Sequence, residues 1–139
     1  MRFQDFIDQQ KARRSSIDIQ LAKSLVSMSD SHGDTIKILD INEITASTIM
    51  TTYYEALREI VEAIAAKMGY KIYSHEALTY FLKEELGKET VAGKFDRFRK
   101  IRNNINYYGK QIDKASAENN IREIEKTIKE LKQSFLKGL

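Results

Sequence analysis

Not one proline interrupts this chain of 139 residues, and that absence narrows its fold more than any motif does. Proline lacks a backbone N–H and breaks helix interiors, whereas sandwiches and barrels use it at their many turns. A proline-free chain whose apolar residues recur at steps of three and four is expected to be all-α. The expected architecture is an up-and-down bundle of about five helices, forming a single domain over residues 1–139 that is long enough to bury a core without staples.

The periodicity places the helices. Phe3, Phe6 and Ile7, then Ile17, Leu21, Leu25 and Met28, predict one long amphipathic helix from Phe3 to Met28. Its Lys11, Arg13 and Arg14 form a basic cluster, either a solvated face or a nucleic-acid contact. Asp30–Asp34 (DSHGD) reads as a break, with His32 a loop histidine. The fragments Thr35–Leu39 and Tyr70–Tyr73 alternate like strands but are too short to carry a fold, and read as loop segments leaning on helices. Asp40 and Glu43 resemble a capping box opening a second helix to Met68, with Gly69 as its stop. Its core stripe would be Ile49, Tyr53, Leu57, Ile60, Ile64 and Met68, and its β-branched front half should need tight enclosure. Of the adjacent Tyr53 and Tyr54, one can pack while the other turns outward or toward another helix.

Ser74 can cap a third helix through Leu86, closed by Gly87, with Leu78, Phe81, Leu82 and Leu86 inward, or Leu78, Phe81 and Glu85 in a rotated register, and His75 packed or solvent-facing at its first position. A fourth helix covers Ala92 to Tyr108. A fifth, from about Asp113 to Leu136, carries Ile121, Ile124, Ile128, Leu131 and Phe135, a stripe that seals a bundle or mediates a dimer.

Several function classes are excluded. There is no cysteine, so disulfides, thiol nucleophiles and thiolate metal sites are absent. His32 and His75 lack the spacing of paired zinc ligands, so no metal or cofactor is expected. The longest uncharged run, Ile44 to Tyr54, is too short for a membrane span, and the N-terminus has no apolar signal core. A soluble cytoplasmic protein is expected. Net charge is +3, so an anionic partner would be met by a local patch.

One patch stands out. The stretch RKIRNNINYYGK, Arg99–Lys110, sets three asparagines of modest helix propensity inside the fourth helix. Phe98, Ile101, Ile105 and Tyr108 share a face that should meet the core, whereas Arg99, Arg102, Asn103, Asn106 and Lys110 form a second stripe, with Tyr107 at its outer edge. Guanidinium forks and amides suit phosphate or carboxylate oxygens. A plain solvated flank is the alternative, with Asp96 pairing to Arg99 or Lys100 for ~0.3–0.5 kcal/mol; so is a scaffold in which Arg102 and Asn106 satisfy buried groups.

The order of long helices, Thr52–Leu82 (TYYEALREIVEAIAAKMGYKIYSHEALTYFL) and Arg102–Gly109 (RNNINYYG) together resemble the HEPN family, particularly its small stand-alone prokaryotic members, over most of the chain from about Ile17. The resemblance implies a bundle of four or five helices that homodimerises and, in many members, a metal-independent endoribonuclease of toxin–antitoxin systems. The family's motif is an arginine, a polar residue and, a few positions on, a histidine. Arg102, Asn103 and Tyr107 hold those places and would be the catalytic set, with Tyr107 where the histidine belongs. A tyrosine, with a pKa near 10, is almost wholly protonated at neutral pH and is a poor base. By the same resemblance RNA 2′-hydroxyl attack on the adjacent phosphate would be stabilised by Arg102, with Asn103 and Asn106 orienting it. Arg99, Asn106, Lys110 and, at the helix end, Tyr108 complete the expected phosphate- or RNA-contacting set. The resemblance also admits a non-catalytic interaction protein that pairs with a minimal nucleotidyltransferase.

Overall fold

The computed structural model describes residues 1–139. Its elements are α1 (Phe3–Asp8), β1 (Ala12–Arg14), α2 (Ile19–Ile36), α3 (Ala46–Met68), β2 (Tyr70–Ile72), α4 (His75–Tyr80), a π-helical turn (Phe81–Glu85), α5 (Glu89–Tyr108) and α6 (Lys114–Phe135). The protein is an all-α helical bundle. Four long helices make its body, and two three-residue strands pair antiparallel with Ala12 opposite Ile72 and Arg14 opposite Tyr70.

α3 is the central helix. Ile49, Met50, Tyr54, Leu57, Ile60, Val61 and Ile64 are all buried, on more than one face, because α2 lies along one side and α6 along another. The β-branched front half is enclosed as its propensity demands, with Ala46, Ile49 and Met50 out of solvent. Met68 is the exception to the expected stripe; it is 41% exposed where the helix runs past its neighbours. The expected capping box at Asp40 does not form. Asn42 Oδ1 accepts from the backbone N–H groups of Ile44 and Thr45 (2.8 and 3.0 Å), and Thr45 Oγ1 donates to Asp40 O (2.5 Å), so the helix opens at Ala46.

The N-terminal helix predicted from Phe3 to Met28 is instead α1, β1 and α2. Phe3 and Phe6 are buried against Tyr70, Phe81 and Tyr80, which holds α1 beneath α4. The polar run after Ile7 supplies no apolar step, the chain turns at Gln10 (φ +62°), and the backbone pairs with β2. Of the two strand-like fragments, Tyr70–Ile72 is therefore a strand, partnered by Ala12–Arg14. Thr35 and Ile36 finish a helix.

α2 starts where Asp18 Oδ1 accepts from Leu21 N (2.9 Å) and runs straight through the expected break at Asp30–Asp34. A mid-helix glycine costs about 1 kcal/mol relative to alanine. Here that cost is offset by Ile36, which is buried, and by two bonds to α3: Ser29 Oγ donates to Ala56 O (2.8 Å), and His32 Nδ1 lies 2.7 Å from Glu59 Oε1. His32 is thus a helix residue facing α3.

Ser74 caps α4 by accepting from Ala77 N (3.3 Å). The helix then widens: Leu86 N donates to Phe81 O, five residues back. Within the widened turn both Phe81 and Leu82 are fully buried. α5 begins at Glu89, three residues before the expected start, and ends at Gly109, whose φ of +63° makes the left-handed cap. Its core contact fades along its length. Phe98 is fully buried, Ile101 and Ile105 are half-buried, and Tyr108, expected to face the core, is 72% exposed. α6 is capped by Asp113, which accepts from Ser116 N, and seals α3 with Ile121, Ile124 and Leu131. No helix is long and apolar enough to cross a membrane.

Candidate functional site

Arg102 leaves α5 on the side where α3 and α4 meet it. Its guanidinium carbon stands 5.1 Å from the centre of the Tyr54 ring and 5.7 Å from that of Tyr107, so two aromatic faces flank the cation. Nη1 donates to the Tyr107 hydroxyl (3.2 Å), and Nη2 donates to Nδ1 of His75 (2.8 Å). Nε is buried without a partner. None of these bonds goes to a carboxylate, so the positive charge is oriented but not neutralised.

His75 has a defined hydrogen-bonding state. An arginine only donates, and the Tyr54 hydroxyl, 2.7 Å from the same Nδ1, has its pKa pushed up to about 12 by burial, which the neighbouring Arg102 only partly opposes. Both groups therefore donate, the Nδ1 lone pair accepts, and the ring hydrogen lies on Nε2. Burial lowers the His75 pKa to about 4, and Arg102, Arg58 and Arg99 push in the same direction against Glu55. The imidazole is neutral at neutral pH and stacks on Tyr54 with ring centres 5.7 Å apart and planes at 19°.

In front of Arg102 lies an open cleft of about 260 Å³ lined by His32, Thr51, Thr52, Tyr54, Glu55, Arg102 and Asn106. The hydroxyls of Thr51 and Thr52 both donate to Thr48 O (3.0 and 2.8 Å). Glu55 accepts two bonds from Arg58 Nε (2.7 and 3.0 Å), and Arg58 also pairs with Glu62. Burial works to lower the Arg58 pKa, yet those carboxylates outweigh it and the net direction is upward. His32, from α2, completes the wall, tied to the buried Glu59 of α3.

The stripe read along α5 divides among four surroundings. Arg102 and Asn106 share the cleft, with Tyr107, 67% exposed, beside the guanidinium. Asn103 is half-buried with its Oδ1 unpartnered. Arg99 is bound to Asp96 by Nε and Nη2 (3.0 and 2.7 Å) and lines a separate groove with Lys100, Glu76 and Thr79. Burial raises the Asp96 carboxyl, but its bonds to Arg99 and Lys100 prevail and hold it below the usual range. Lys110 lies beyond the helix end beside Ile112 and Asp113, and Tyr108 faces solvent. Nowhere do three or more histidine, aspartate or glutamate side chains converge as a metal site would require.

Both histidines of the chain stand at this one site, although they lie far apart in sequence. Spacing along α5 could not reveal them, since they arrive on α2 and α4. The available signal lay in α3. Glu55, Arg58, Glu59 and Glu62 interrupt a part of that helix, residues 53–66, whose other positions are all apolar and buried, and charges there require partners. No family model matches the chain, and no curated protein matches it significantly.

Proposed function

We propose that the Arg102 cleft binds a phosphate of RNA and that the chain is a HEPN-like protein cleaving single-stranded RNA there without a metal ion. A single observation carries the reading: Arg102 is held at the mouth of an open cleft by neutral acceptors and aromatic faces, with no carboxylate on it. A guanidinium so placed keeps its charge for an anion, and its fork matches two phosphate oxygens. Asn106 adds an amide to the same wall, and Tyr107 steadies the side chain. During attack of a 2′-hydroxyl, Arg102 stabilises the charge growing on the phosphate oxygens.

The test is a labelled single-stranded oligoribonucleotide with chelator present at low salt. Wild type retains or cuts it. Arg102→Ala weakens retention by roughly ten- to a hundredfold, the equivalent of losing one charge-assisted contact. The variant keeps its helical circular dichroism, because His75 retains Tyr54 as a donor. RNA that stays intact and unretained by folded wild type refutes the proposal.

A further inference from the structure

We propose that His32, oriented by Glu59, is the proton acceptor of the Arg102 cleft and supplies from α2 the base that Tyr107 cannot provide. This assignment rests on the reading of the cleft as an RNA site. His32 lies on α2, not in a loop, and lines the cleft from that helix. Its Nδ1 lies 2.7 Å from Oε1 of Glu59, a side chain only 5% exposed. A carboxylate accepts, so Nδ1 carries the ring hydrogen and donates it, leaving the lone pair on Nε2. That tautomer is the one a general base requires. A carboxylate behind the ring also stabilises the imidazolium once a proton arrives.

The two histidines are thereby distinguished. His75 has its only lone pair occupied by two donors, Arg102 and Tyr54, and its remaining nitrogen bears hydrogen. It cannot accept a further proton without displacing Arg102, which makes it a positioning residue for the guanidinium. His32 has one nitrogen engaged and lines the cleft. A buried glutamate serving structure alone would be satisfied by any donor; this one holds an imidazole whose ring is a third exposed beside Asn106 and Arg102.

The step balances as an internal transesterification. Nε2 of His32 takes the proton of the 2′-hydroxyl while its oxygen forms a bond to the adjacent phosphorus. The bond from phosphorus to the 5′-oxygen breaks, and that oxygen takes a proton from water. The products are a 2′,3′-cyclic phosphate and a 5′-hydroxyl, and the imidazolium returns its proton to the hydroxide left in solvent.

The experiment uses the full chain, a fluorescent single-stranded oligoribonucleotide and its all-deoxy counterpart, with chelator present. Wild type binds both, cuts only the ribo strand and leaves cyclic phosphate ends. His32→Ala binds RNA within about twofold of wild type but cuts it a hundredfold or more slowly, the usual scale of a lost general base, and added imidazole restores part of the rate. Glu59→Gln lowers kcat roughly tenfold with KM unchanged, as loss of an orienting partner would. Should His32→Ala lose its helical signal, His32→Gln, which keeps a donor for Glu59, takes its place. A folded His32 variant that cuts at the wild-type rate overturns the assignment, as does one that loses binding along with cleavage. Wild type that binds RNA and never cuts it also overturns the assignment, leaving the binding site intact. Wild type that neither binds nor cuts overturns both.

Discussion

Acidification should loosen this protein through one side chain. His75 titrates near 6.5 in an unfolded chain and at about 4 in the fold, where burial and then Arg102 disfavour its charged form. A group that is harder to protonate in the native state makes the unfolded chain the better proton binder, so stability rises with pH. The favourable contribution is complete above the unfolded value, declines as pH falls from about 6.5, and is gone once pH passes below about 4. Full linkage between those two values amounts to about 2 kcal/mol at pH 5. The ring is only half-buried, and solvent screening reduces this to ~1 kcal/mol. The assay is urea denaturation of wild type and His75→Gln at several pH values. Glutamine can still accept from Arg102 but cannot titrate, so the difference between the two curves cancels other acidic groups, including Glu62, which burial raises against the pull of Arg58. Wild type should lose ~1 kcal/mol more than the variant between about pH 7.5 and about pH 5, a midpoint difference near half a molar urea. Curves that stay parallel over that interval refute the assigned tautomer and the contact between Arg102 and His75.

Two further outcomes test the scaffold. Gly69 has φ +88°, and a Cβ there would sit 2.9 Å from Ser15 O, so Gly69→Ala should cost ~2 kcal/mol or more; Gly87→Ala, at φ +64° with open space around it, should cost ~1 kcal/mol by thermal denaturation. Phe98→Ala removes a fully buried ring where α5 joins the core and should cost ~3–5 kcal/mol by urea midpoint.

What could be read from the sequence divides by the physics that sets it. Ser74, Gly69, Gly109 and Asp113 act on the backbone next to them, and the helix ends they mark stand where spacing predicts. Gly33 carries the same chemistry yet sits inside α2, because Ser29 and His32 before it are bonded to α3 and Ile36 after it is buried. Local preference yields wherever packing on both flanks outweighs about 1 kcal/mol. The turn at Gln10 follows the same rule, since burial of Phe3 and Phe6 beneath α4 outweighs extending a helix through polar residues.

The site follows that division more sharply. Arg102, Asn106 and Tyr107 belong to one helix, and a 3.6-residue period brings them together without knowledge of anything else. His32 reaches the cleft, and His75 reaches Arg102, only through the relative register of α2, α3, α4 and α5, which no single period encodes. Yet α3 contained a constraint. Arg58 stands three residues after Glu55 and four before Glu62, and it pairs with both. Glu59 has no cation three or four positions away in either direction, so a glutamate on the buried helix had to be met from another element. The element that meets it is α2, and the donor is an imidazole. A carboxylate left over after its own helix has paired its charges thus calls for a donor from a neighbouring element, independently of any motif, and packing of α2 on α3 makes that donor His32.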